Sequence, residues 1–193
     1  MRIAKYPHPI LSYRSKPLRK IDQGLRDIVA EMFELMYEFK GVGLAANQVE
    51  LPYQLVVLNQ SGDPDIKEEE HVLINPTIRK RKGRQYGDEG CLSFPELYVP
   101  VERADEVEFQ AIDLQGQLQT YRWKGFQARI VQHETDHLNG RCFVDQASPA
   151  AQLEARAALD EMRAFYEREY ERGFEPTPEE FAASVARWEA ERT

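Results

Sequence analysis

The stretch Gly125-Phe126-Gln127-Ala128-Arg129-Ile130-Val131-Gln132-His133-Glu134-Thr135-Asp136-His137-Leu138-Asn139-Gly140 decides how this chain is read. It predicts a helix from about Gly125 to Asn139, ended by Gly140 at the C′ position, where a left-handed backbone carries no steric cost. Phe126, Ile130, His133 and His137 follow at i, i+4, i+7 and i+11 and share one face. Ile130 and Phe126 continue that face inward, so it is expected to be buried. Two neutral imidazoles and a carboxylate facing a core are costly without a shared partner. A metal ion is such a partner. Residues four apart on a helix sit one above the other, so both rings reach one ion, and Glu134 lies near enough to take a proton from metal-bound water.

A catalytic site of this kind needs a third protein ligand. One zinc-protease pattern places a third histidine six residues after His137, but Phe143 stands there. A glutamate further downstream suits another protease class, and Glu154 and Glu161 fit by spacing. The remaining option is Cys91, in Glu89-Gly90-Cys91-Leu92-Ser93. Its segment is glycine-containing and polar, where backbone approaches a ligand, and a thiolate suits a borderline divalent metal. Cys142 reads as an ordinary small buried residue.

Around these motifs the chain is organised as α+β. Leu25 to Lys40 has helical apolar spacing, with Asp22 as its cap and Gly41 and Gly43 as its end. Gln54 to Asn59 reads as a buried strand. His71 to Asn75 and Thr77 to Tyr86 read as two strands around Pro76. Val107, Phe109 and Ala111 alternate with polar residues and predict a hairpin with Leu118 to Trp123, turning at Gln115-Gly116. Helical patterning returns from Ala151 to about Arg172. Thr177-Pro178-Glu179-Glu180 then starts a last helix to about Glu191. Short connections between strands, without βαβ alternation, argue against a nucleotide-binding α/β sheet. Gly41 to Gln48 is glycine-rich but lacks the Lys-Ser or Lys-Thr of a phosphate loop. It reads as backbone lying beside a substrate, with Gln48 offering its amide.

With 193 residues, 42% hydrophobic and 30% charged, the chain suits one filled core rather than two domains. No apolar run approaches the roughly 18 residues of a membrane span. No apolar leader follows Met1, so no membrane or secretory destination is expected. Two cysteines exclude a disulfide scaffold and fit a reducing, cytoplasmic setting. A net charge of −8 disfavours direct nucleic-acid specificity. The tail from Ala150 to Thr193 holds 11 acidic and 6 basic residues. The basic run Arg79, Lys80, Arg81, Lys82, Arg84 reads first as a solvated strand and second as a dock for an anionic partner.

Three segments in order, Gly41-Val42-Gly43-Leu44-Ala45-Ala46-Asn47-Gln48, Glu89-Gly90-Cys91-Leu92-Ser93 and Gln132-His133-Glu134-Thr135-Asp136-His137, resemble the peptide deformylase family. Tyr6-Pro7 with Pro9-Ile10-Leu11 is similar as well. The resemblance implies antiparallel strands wrapped around a central HExxH helix, with an N-terminal helix and a helical C-terminal tail. It places a catalytic domain at residues 1–150 and an extension of it, not a second domain, at 151–193. It further implies removal of the formyl group from N-formylmethionyl peptides and nascent chains. One divalent ion is implied, Fe²⁺ in the cell, with Zn²⁺, Ni²⁺ or Co²⁺ able to occupy the site. Cys91, His133 and His137 become the ligands, Glu134 the general base and then acid, and Gln48 with the backbone N–H of Leu92 the oxyanion donors. Glu89 orients the site. Gly43 and Leu44 border the substrate, Leu97 and Tyr98 line its entrance, and Phe126, Arg129 and Ile130 take the methionine side chain.

Two positions depart from the family pattern: Asn47 stands where proline is usual, and Glu50 where glycine is common. Neither is expected to touch a ligand or the base, so both are expected to bear on rate and substrate preference, not on metal binding. For the tail, packing on the surface stands against contact with the ribosome or a second copy. The competing functions are another HExxH metallopeptidase, and a non-catalytic relative that binds formylated chain ends. The intact ligands and base argue against the latter.

Overall fold

The computed structural model describes residues 1–193. It is α+β, with seven strands and five α-helices. Helix α1 (Gln23–Glu38) starts where the Asp22 side chain accepts a hydrogen bond from the Leu25 N–H and buries Leu25, Val29, Met32, Phe33 and Met36. Its apolar face packs on β1 (Gly43–Ala45) and β2 (Leu55–Asn59), and every residue of these strands is buried.

A five-stranded antiparallel sheet has the order β1-β2-β3-β6-β7, with β3 at Glu70–Lys82, β6 at Glu106–Ile112 and β7 at Leu118–Lys124. The β6–β7 hairpin pairs Val107 with Trp123 and Phe109 with Tyr121, so the alternating apolar set faces inward as its period requires. A separate two-stranded sheet joins β4 (Gln85–Cys91) to β5 (Phe94–Arg103).

Two strand boundaries differ from the expected ones. The strands predicted on either side of Pro76 are one, β3, which passes through the proline at a register shift between Ile74 and Thr77. Proline has no N–H for the ladder, and the irregularity absorbs the loss. Asn75, at φ 52°, clamps this point by bonding both backbone groups of Leu18, at 2.8 and 2.9 Å. The real break comes at Gly83, with φ 65°. Beyond it the glycines of β4 and the prolines of β5 hide a hairpin from the sequence pattern.

Helix α2 (Gly125–Leu138) runs between the layers and packs on β1, β2, β6 and β7. Gly140 has φ 69°, the left-handed turn foreseen for it. A short α3 (Phe143–Gln146) leads to α4 (Pro149–Glu171) and α5 (Pro178–Arg192). Thr177 and Glu180 close a capping box at the start of α5.

The last helix folds back on the N-terminal third of the chain. Val185 is buried, Trp188 meets Tyr53 edge to face, and the Tyr53 hydroxyl donates to the Trp188 carbonyl at 2.8 Å. Tyr13 donates to Glu189 at 2.7 Å, and Arg192 pairs with Asp22, the cap of α1. The basic run is exposed, and its side chains alternate with acids. Glu108 takes Lys80 and Arg122, Glu106 takes Lys82 and Lys124, and Glu102 takes Arg84. No helix is long and apolar enough to cross a membrane.

Candidate active site

Cys91, the last residue of β4, and His133 and His137, four apart on α2, bring Sγ and two ring nitrogens within 4.8 Å of one another. The Nε2 atoms of the two histidines lie 3.2 Å apart, and Cys91 Sγ is 3.2 Å from His137 Nε2. Tetrahedral metal bonds of about 2.1–2.3 Å would put the donors roughly 3.4–3.7 Å apart, close to the two separations made by His137. The electrostatics of the cluster ask for an ion. Burial disfavours a charged His133, yet contact with Cys91 and Glu89 raises its pKa well above the ordinary value. Burial and the neighbouring His133 push His137 well below it. One cation among the three donors satisfies both rings.

Glu89, on β4, lies 2.9 Å from His133 Nδ1. A carboxylate only accepts, so Nδ1 carries the hydrogen and Nε2 is free as a ligand. Burial works to raise the Glu89 pKa, but Arg103 and His133 overcome it and hold the group at about 2. Arg103 forks onto Glu89 at 2.8 and 2.9 Å and also reaches Asp136 on α2. Arg129 adds a bond to Glu89 at 2.8 Å and one to the Val101 carbonyl at 3.0 Å. This ionic network ties β4, β5 and α2 together.

Glu134 is buried beside the donor cluster, and one of its oxygens, Oε2, has no hydrogen-bond partner. Burial pushes its pKa up to about 7, with His133 pulling the other way. A carboxyl poised there both accepts and returns a proton at neutral pH. Gly43 makes room for it, since a Cβ on Gly43 would lie 2.5 Å from Glu134 Oε1. Gln48, in the 3₁₀ turn Ala46–Val49, accepts from the Ala45 N–H through Oε1. That bond aims its Nε2 at Cys91 Sγ, 3.3 Å away, and at Ser93 Oγ, 3.2 Å away.

These groups open onto a cleft of about 590 Å³, bordered by Gly43, Gln48, Leu92, Leu97, Tyr98, Phe126, Arg129 and Ile130. The edge of β1, which pairs only with β2, and strand β4 both line it, as two strand edges between which an extended peptide fits.

Several expected positions are corrected. The Leu44 side chain is fully buried in the α1 core and is not part of the cleft lining. Phe126 does not continue the buried face of α2 but stands 54% exposed at the cleft mouth. Glu154 and Glu161 are exposed on α4, outside the donor cluster. Asn47 does touch a ligand residue, because its Nδ2 donates to the His137 carbonyl.

Sequence reading missed Arg103, Asp136 and Lys5. Arg103 ends the inward series Leu97, Val99, Val101, and a charge in that register was its signal. Lys5, whose Nζ donates to the Leu92 carbonyl at 2.7 Å, left no such signal.

A cysteine sulfur, two imidazoles and a buried carboxyl around one cleft make up the site of a metal-dependent hydrolase. Comparison with known proteins narrows this. The family model for polypeptide deformylase matches residues 1–153. The peptide deformylase of Rhodopirellula baltica is 40% identical over 190 residues, covering 98% of this chain and 94% of that one. The solved structure of Arabidopsis thaliana peptide deformylase 1B superposes with a TM-score of 0.84 at 38% identity, covering 95% of this chain and 99% of the other. A Plasmodium falciparum deformylase structure gives 0.84 at 38%, covering 86% and 98%. The chain belongs to the peptide deformylase family, enzymes that remove the N-formyl group from new polypeptides.

Proposed function

We propose that this protein deformylates formyl-Met chain ends with Glu134 as the proton carrier beside an ion held by Cys91, His133 and His137. The observation that carries this is the unpartnered oxygen of Glu134, buried against Gly43 within the same cleft as the three donors. The ion supplies Lewis acidity, which lets a water molecule act as nucleophile at neutral pH. Fe²⁺ is the proposed ion in the cell, with Zn²⁺, Ni²⁺ or Co²⁺ able to replace it, since the mixed thiolate and imidazole set suits all four.

Glu134 takes one proton from the attacking water. The formyl oxygen gains negative charge, and Gln48 Nε2 and the Leu92 N–H donate to it. Glu134 then gives its proton to the amine nitrogen, the C–N bond breaks, and formate and a free amino terminus leave. Glu89 fixes the His133 ring by accepting from Nδ1–H. The methionine side chain lies against Ile130, the Arg129 stem and the inner face of Phe126, with Leu97 and Tyr98 at the entrance. Gly43 and the backbone of Leu44 run beside the peptide.

We further propose that residues 1–150 form the catalytic domain and 151–193 an extension that shares its core. The free thiols and the nascent-chain substrate support a cytoplasmic setting. Ribosome contact through the tail is the weaker reading, since the excess of acids there repels an RNA surface.

Metal analysis of Cys91→Ala tests the ligand set. The variant should fold and lose most of its metal. Full retention would return the third ligand to a carboxylate and favour the peptidase alternative.

A further inference from the structure

Asn47 is fully buried in the short turn that also carries Gln48. Its Nδ2 donates to the carbonyl of His137, in the last turn of α2, which also accepts from the Gly140 N–H at 2.9 Å. One side chain therefore spans from the loop of the oxyanion donor to the helix end that carries a ligand. Two further atoms point the same way. His137 Nδ1 is buried without a partner, and so is Asn47 Oδ1. A ring that binds through Nε2 carries its hydrogen on Nδ1, so the first atom is a donor and the second an acceptor. His133 has its outer acceptor in Glu89 at 2.9 Å. His137 has no carboxylate in that role.

We propose that Asn47 is the positioning residue of His137. Its Nδ2 fixes the backbone of the ligand residue, and its Oδ1, which makes no direct bond to the ring, receives Nδ1–H through one bridging water. Glu89 and Asn47 then each hold one of the two imidazoles, one by charge and one by a neutral amide. A neutral acceptor leaves His137 a weaker donor to the ion than His133. Asn47 also sets the spacing between the Gln48 amide and the metal, because both ends of that spacing run through it. The inference rests on the metal centre proposed above.

The test uses full-length protein loaded with Co²⁺, whose absorption bands report the geometry of the ligands. Asn47→Leu keeps the number of side-chain heavy atoms and removes both polar atoms, while Asn47→Ala removes them and leaves a cavity. Metal release to excess EDTA and the cobalt spectrum are followed, with thermal unfolding of each apoprotein. Both variants should release Co²⁺ about tenfold faster or more, with shifted bands, whatever their difference in unfolding temperature. Wild-type release and bands in either folded variant would overturn the proposal. So would release that simply tracks the unfolding temperature, or failure of both variants to fold, since each describes a scaffold role. If the wild type itself binds no Co²⁺, the metal centre fails, which is a separate result.

Discussion

The Glu89 carboxylate lies 2.9 Å from Nδ1 of His133, and the same group is gripped by Arg103 and Arg129. One buried acid thus orients a ring on α2 and neutralises guanidinium groups from β5 and α2. Glu89→Ala leaves Arg129 buried without its carboxylate and Arg103 with Asp136 alone, a change that costs about 3–5 kcal/mol. The expected outcome in urea unfolding is a stability loss of that order, together with roughly 10–100-fold weaker metal binding. Unchanged stability would mean that the network is not a unit.

Gln48→Ala removes the proposed oxyanion donor together with its 3.3 Å contact to Cys91 Sγ, and leaves both histidines untouched. The loss should appear in kcat, at about 3 kcal/mol of barrier, or roughly a hundredfold, with KM little changed. Steady-state formate release from formyl-Met-Ala-Ser reads both. A rise in KM with constant kcat would assign Gln48 to substrate binding instead.

His8 predicts a pH effect on stability. It is buried, with Glu50 and Glu175 carboxylates at 3.9 and 3.7 Å and Arg2 and Tyr166 nearby. Burial outweighs the acids and lowers its pKa to about 4. A folded pKa below the unfolded value means that the unfolded chain binds more protons. This contribution is complete above about pH 6.5 and is lost as the pH falls toward 4. His8→Asn should therefore show a shallower loss of stability between these limits. An identical slope in urea titrations would rule His8 out as the cause.

Deletion of residues 173–193 removes Val185 from the core and uncovers Tyr53, Tyr13 and Asp22. The truncated enzyme should unfold several degrees lower, yet keep its metal, because none of the ligands touches α5. Calorimetry with metal analysis checks both. An unchanged unfolding temperature, with a change in molecular mass by light scattering, would favour a self-association role for the tail.

What the sequence disclosed was whatever local chemistry controls. Asp22, Gly140 and the Thr177–Glu180 box mark helix ends because caps act within one turn. The β6–β7 hairpin showed because its faces alternate cleanly. The β4–β5 hairpin did not, since Gly87, Gly90, Pro95 and Pro100 mask its period. The burial of Leu44 and the exposure of Phe126 escaped the sequence for a different reason. Their burial depends on which neighbours the sheet order supplies, and no local pattern contains that. The same holds for Asn47, whose contact with His137 joins segments 90 residues apart. The geometry among Cys91, His133 and His137 is likewise a product of tertiary packing, although each of the three was visible as a motif.

Glu134 is the proposed proton carrier beside the ion of Cys91, His133 and His137. The most direct measurement is formate release from formyl-Met-Ala-Ser by wild type and Glu134→Gln, prepared anaerobically with metal content determined in both. Equal metal in both proteins and a loss of at least about a hundredfold in kcat for the variant are expected. Wild-type turnover by metal-loaded Glu134→Gln would contradict that role.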